Sequence, residues 1–183
     1  MTLWRVRATV DDRPGFLAVL TASLALRSVN ILSVQVHTTE VGVVDEFLID
    51  APDLLSERDL VEAIERGRGR DAWVRRSDAK GLIDEPTRVL SLASRIAADP
   101  QALEPTLTAL LSLDSVTWLK PGAGPAREGC TPHALQLIGP DGRILLARRA
   151  APAFTPAEYA RAQALVAVAL VAARAGRPES SPA

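Results

Sequence analysis

Asp11-Asp12-Arg13-Pro14-Gly15-Phe16-Leu17 is the stretch whose reading decides the fold, because one periodicity stops there and another starts. Upstream, Trp4, Val6, Ala8 and Val10 alternate with Arg5, Arg7 and Thr9, the period of a half-buried strand. Downstream, Leu17, Leu20 and Leu24 recur at helical spacing. Pro14 suits a first helical turn, where a missing N–H costs nothing, and Asp12 suits the cap before it.

Working outward, a second strand is expected at about Ile31 to Thr39, with Leu32, Val34 and Val36 sharing a face. Glu40-Val41-Gly42 reads as a hairpin turn. The strand returning from it, about Val43 to Asp50, puts Val43, Phe47 and Ile49 on one face. Asp45 has the same parity, so it is expected either at a strand end or beside a partner. Pro52 closes the strand. Ser56-Glu57-Arg58-Asp59 resembles a capping box and opens a short helix carrying Leu60, Val61 and Ile64. Gly67 and Gly69 end that helix, and a strand at Ala72 to Arg75 completes the unit. The order strand, helix, strand, strand, helix, strand is a split βαβ, ferredoxin-like pattern. Two helices cover one sheet face. The other face lacks cover of its own, so a partner surface is expected there or along a sheet edge.

Residues 77–85 are polar and read as a linker. Beyond them a second α+β domain is expected over 86–175. It starts with a helix from Pro86 to about Ala98, broken by Asp99-Pro100. A helix at about Gln101 to Leu111 leads into a strand at Ser115 to Lys120. Pro121 to Pro132 is rich in Gly and Pro and reads as a mobile loop. Gly139-Pro140-Asp141-Gly142 turns a hairpin between His133–Ile138 and Arg143–Arg149. Thr155-Pro156-Ala157-Glu158 forms a capping box and opens a last helix to about Ala173. The tail, 176–183, is expected to be disordered.

The Asp11–Leu17 stretch, together with Val29-Asn30-Ile31 and Asp45-Glu46-Phe47, resembles the ACT domain family over about residues 1–76. The resemblance implies a regulatory domain that binds a small ligand, usually an amino acid, often at a dimer interface. The implied ligand residues are Asp11, Asp12, Gly15, Phe16, Leu17, Asn30 and Ile31. Many relatives carry glycine just before the second strand, where Ser28-Val29 stand here. The hairpin from Leu135 to Arg148, with Phe154-Thr155-Pro156 opening the terminal helix, has a fainter resemblance to the closing part of a GAF domain. That likeness implies a small-molecule or dimerisation module and carries no ligand residues over.

Elementary chemistry points the same way at the first site. A helix N-terminus offers unpaired N–H groups and a favourable dipole to a carboxylate. Gly15 lets a ligand approach closely. Asp11 or Asp12 offers an oxygen to an ammonium, and Asn30 offers both a donor and an acceptor. The plain alternative is turn chemistry at a capped helix start, with no ligand.

Composition excludes several classes. The 183 residues carry a net charge of -1, so no strong field favours nucleic acid or an anionic membrane. One cysteine forbids an internal disulfide and suggests a cytoplasmic, reducing compartment. The most apolar run, Ala162 to Ala173, falls short of the about 20 residues a span needs, and reads as a buried or oligomer-facing helix. Cys130 and His133 lack the further ligands of a zinc site, and no catalytic or metal site is expected. His37 reads as a surface residue on the less buried face of its strand. The tryptophans read as core or interface anchors. Arg66, Arg68, Arg70, Arg75 and Arg76 make a basic stretch, either solvated or a partner patch. The expectation is therefore a homodimeric, non-catalytic, cofactor-free regulatory protein that binds an amino acid. Two rivals stay open: an enzyme of amino-acid metabolism using Cys130, His133 and Asp141, and an interaction module without ligand.

Overall fold

The computed structural model describes residues 1–39, 42–77, 85–120 and 127–175. Two compact units emerge, Met1–Asp84 and Glu85–Ala183. Most of the expected linker and part of the expected mobile loop lie outside the described residues. So do Glu40-Val41 of the first turn and the tail, 176–183.

In the first unit β1 (Thr2–Val10), α1 (Phe16–Ala25), β2 (Asn30–Thr39), β3 (Gly42–Ala51), α2 (Glu57–Arg66) and β4 (Arg70–Arg76) follow in ferredoxin-like order. The strands form one antiparallel sheet, β2-β3-β1-β4. The alternation of β1 puts Trp4, Val6, Ala8 and Val10 into the core beside Phe47, Ile49, Leu20, Leu24, Leu60 and Ile64. Removing that apolar surface from water is the main stabilising term. The expected capping box at α2 is present: Ser56 Oγ accepts from Asp59 N at 3.3 Å, and Ser56 N donates to Asp59 Oδ2 at 2.9 Å. Gly67 lets the end of α2 lie against α1, because a Cβ there would stand 2.8 Å from Leu20 Cα.

Three expectations need correction. The helix does not begin at Asp12-Arg13-Pro14. Gly15 is the N-cap, with φ of 90°, and no side chain caps α1. A left-handed residue at that place ends the preceding turn by itself, so Asp12 has no capping role and Pro14 lies before the helix. Second, Val34 and Val36 do pair with Phe47 and Asp45 on the helix side of the sheet, yet they stay 44% and 53% exposed. Leu32 falls at a register shift and is also exposed. Gln35 and His37, on the opposite parity, are the more buried. The reason is position: β2 is an edge strand, beyond the reach of the helices. Third, Asp45 sits mid-strand, 1% exposed, and neither carboxylate oxygen has a partner among the described residues.

In the second unit α3 (Glu85–Ala98) leads through a short 3-10 turn, capped by Asp99, into α4 (Leu103–Leu111). Then come β5 (Ser115–Trp118), β6 (Gly129–Thr131), β7 (Ala134–Ile138), β8 (Ile144–Arg148) and α5 (Pro156–Ala175). The sheet order is β5-β8-β7-β6, all antiparallel. The short β6 falls inside the stretch expected to be loop. Ala162, Leu165, Val166 and Ala169 of α5 bury against Leu107, Leu111, Leu137 and Leu145, so the apolar run is core. The capping box at α5 is present: Glu158 N donates to Thr155 Oγ1 at 3.2 Å and Thr155 N to Glu158 Oε2 at 2.9 Å. The protein is thus α+β, with two antiparallel four-stranded sheets and five α-helices among the described residues.

Candidate functional site

The turn between β1 and α1 is tight. Arg13 N donates to Asp11 O at 2.8 Å, and Phe16 N to Arg13 O at 3.3 Å. The first helical bond of α1 runs from Val19 N to Gly15 O at 3.0 Å. Among the described residues nothing accepts from the amides of Leu17 and Ala18, and no side chain caps the helix. These are the orphan donors of a helix start. A Cβ at Gly15 would meet nothing within 4 Å, so the turn faces open space. Asp12 and Gly15 are exposed, while Phe16 and Leu17 are half-buried against the core.

Asp11 is already engaged. Its Oδ1 accepts from Arg70 Nη1 at 2.7 Å. That hydrogen bond, with the guanidinium charge, holds the carboxyl below its ordinary range. The pair ties the turn to the start of β4 and takes up much of what Asp11 would offer an ammonium. Asp12, one residue on, makes no such pair among the described residues.

The structure does not bring Asn30 and Ile31 to this turn. Asn30 pairs with Asp50, at the end of the sheet where Thr2 pairs with Ala51. The turn leaves the opposite end, where Val10 pairs with Val43. Asp50 and Val43 are seven residues apart on β3, roughly 24 Å of strand. Two strands that run parallel on either side of a crossover helix impose this separation. Asn30 is exposed; Ile31 packs on the core. Just before them Ser28 takes φ of 59°, the left-handed conformation that favours glycine.

Elsewhere in the first unit Asp45 stands out. Burial pushes its pKa up from 3.8 to about 6. No charged residue faces it from α1, from Val6, Ala8 and Val10 of β1, or from Val34 and Val36 of β2. In the second unit Cys130 is exposed, and partial desolvation and the Glu158 charge raise its thiol. That is the opposite of an activated nucleophile. No group of three His, Cys, Asp or Glu residues suited to a metal occurs among the described residues. No helix among them is long and apolar enough to cross a membrane.

The fold and turn define a class: a two-unit α+β protein whose first, ferredoxin-like unit presents an open helix start at one sheet end. No protein-family model and no curated protein matches the chain. Among solved structures it is similar to the regulatory subunit of aspartate kinase from Thermus thermophilus, at 12% identity. That match covers 97% of this chain and 94% of the other, with a TM-score of 0.35. It is similar also to a protein of unknown function from Galdieria sulphuraria, at 13% identity over 92% and 91% of the two chains, with a TM-score of 0.38. A formyltetrahydrofolate deformylase from Pseudomonas putida matches 42% of this chain at 15% identity, with a TM-score of 0.33. The chain spans only 28% of that enzyme. TM-scores this low assign neither a family nor an activity.

Proposed function

We propose that the chain is a non-catalytic regulatory protein whose first unit, similar to the ACT domain family, binds an amino acid at the Gly15 turn. The observation that carries this reading is the turn itself: left-handed Gly15 open to solvent, with the amides of Leu17 and Ala18 unused behind it. A zwitterion's carboxylate would take those amides, and Asp12 would receive the ammonium.

Such a site is half-walled within one copy, because Asn30 lies at the far end of the sheet. A second copy supplies the missing wall. β2 is a ten-residue edge strand with no Asp, Glu, Lys or Arg, and its Val34 and Val36 are exposed. Natural edges of that length are usually blunted by charge, and this one is not. Two β2 strands paired antiparallel about a two-fold axis set the start of each beside the end of the other. Thr39, at the end of β2, pairs with Gly42 at the turn's end of the sheet. The partner's Asn30 therefore arrives at the turn's end of the sheet, three strand spacings or roughly 14 Å from the end of β1, a span for the ligand and the β1–α1 turn to bridge. Ligand binding across that contact favours the paired arrangement, and the second unit carries the response.

A thermal-shift screen of the twenty amino acids tests the reading. A specific ligand at 100 times its Kd stabilises by about 2.7 kcal/mol. Gly15→Asp places a carboxylate in front of the amides, in open space but at a φ of 90° that strains any side chain, and should abolish the shift; circular dichroism checks that the protein stays folded. Ligand shifts unchanged in that variant would place the site elsewhere.

A further inference from the structure

We propose that the outer edge of β4 takes up an extended acidic segment of a partner protein as a fifth strand of the first sheet. This inference is independent of the ligand reading above. It starts from the free side of the strand. Ser77 N donates to Leu3 O at 2.8 Å, and Arg75 and Trp73 pair with Arg5 and Arg7 in continuous register. In an antiparallel ladder, alternate residues turn their backbone groups to opposite sides. Arg75 and Trp73 thus bond inward, and Val74 and Arg76 present N–H and C=O outward, with no strand beyond them among the described residues.

A cavity of about 330 Å³ is lined by this edge. Trp4, Trp73, Val74, Arg75 and Arg76 line it, and Glu57 joins them from the start of α2. The volume holds a few side chains and not a folded domain. Arg75 lies over the Trp73 ring on one face of the sheet, 5.6 Å from its centroid. Arg76 lies over the Trp4 ring on the other, at 5.3 Å. Both arginines are exposed; neither makes an ion pair within 4.0 Å among the described residues, and Arg76 acts on the Asp53 carboxylate only from a distance. An added strand would be met by a guanidinium on each face, a complement to carboxylates. Glu57 sets a negative charge at the α2 end, which favours an uncharged residue there.

The same charges disfavour a second copy as the occupant. Two β4 strands laid side by side would crowd the Arg75 and Arg76 charges of both copies along one seam, and like charges near one another across a pair destabilise it.

The test uses the full chain and two labelled, N-acetylated and C-amidated octapeptides, alternating Glu-Val and alternating Lys-Val, read by fluorescence anisotropy. The Glu-Val peptide should bind at least about tenfold tighter than the Lys-Val one. Arg75→Glu with Arg76→Glu, both at exposed positions, should reverse that preference; circular dichroism checks the fold, and Arg75→Gln with Arg76→Gln should simply erase the preference. N-methylation of alternate peptide amides, in each of the two possible phases, leaves charge untouched and should lower binding at least about tenfold in one phase. Equal binding of both N-methylated peptides and the parent would overturn strand addition. Absence of acidic preference in the unmodified protein would overturn the partner's chemistry.

Discussion

Asp45→Asn is expected to flatten the pH dependence of the first unit's stability between pH 3.8 and about 6. In the unfolded chain the Asp45 carboxyl ionises near 3.8, but in the folded protein it holds its proton until about 6. Between those values the folded state binds the extra proton, so stability is highest below 3.8. It falls as pH rises and levels off once the folded group has ionised. The interval corresponds to about 3 kcal/mol lost by pH 7. The physical cause is a carboxylate with both oxygens buried and no donor to meet it among the described residues. Asparagine occupies the same space and never ionises. Urea unfolding at several pH values, followed by tryptophan fluorescence, checks this. Subtracting the variant from the parent cancels the carboxylates of Asp11, Asp53 and Asp59, whose pKa values are lowered and act in the opposite sense. A parent–variant difference that is constant with pH would show that Asp45 gains a partner in solution.

Arg149→Met is expected to cost the second unit about 3–5 kcal/mol. Arg149 and Glu158 are each 4% exposed. The guanidinium makes two bonds to the carboxylate, Nη1–Oε1 at 2.9 Å and Nη2–Oε2 at 3.1 Å. It also donates to the carbonyls of Leu111 at 2.7 Å, Pro152 at 2.7 Å and Ala153 at 3.1 Å. One side chain thus joins the end of α4, the segment after β8 and the first turn of α5. Removing it takes the counter-charge from a buried carboxylate and one donor from each of three carbonyls. Glu158→Gln keeps an acceptor for the Thr155 amide and should cost less. The double variant should cost less than the sum of the two singles, because the second change removes the charge that the first left uncompensated. Chemical denaturation of the four proteins measures this. Strict additivity would mean that the pair does not act as a unit.

Much of the fold was legible because local chemistry and final structure agree. The alternation of Trp4 to Val10, the boxes at Ser56 and Thr155, and the Asp141-Gly142 turn act within a few residues of themselves. What escaped depends on what lies overhead. Parity sorted Val34 and Val36 onto the helix side correctly, but periodicity does not say that β2 is an edge beyond α1. The same blindness hid the burial of Asp45 and the Arg149–Glu158 pair, whose partners are brought together by packing. Asp12 looked like a cap because Asp often is one; the conformational freedom of Gly15 made a side-chain cap unnecessary. The separation of Asn30 from the Gly15 turn was readable in principle. A helix that joins two strands of the same direction must leave the end of the first and enter the start of the second at opposite ends of the sheet.

The central claim is a ligand site shared between two copies, one giving the Gly15 turn and the other Asn30. The most direct measurement is equilibrium dialysis of the amino acid that shifts the unaltered protein, against Gly15→Asp, Asn30→Ala and their equimolar mixture after subunit exchange. Each variant alone should lose binding. In the mixture, half of the dimers pair one variant with the other, and each of these holds one intact turn facing one intact Asn30, so about one quarter of the sites should return. A mixture that binds no more than its components would contradict the shared site.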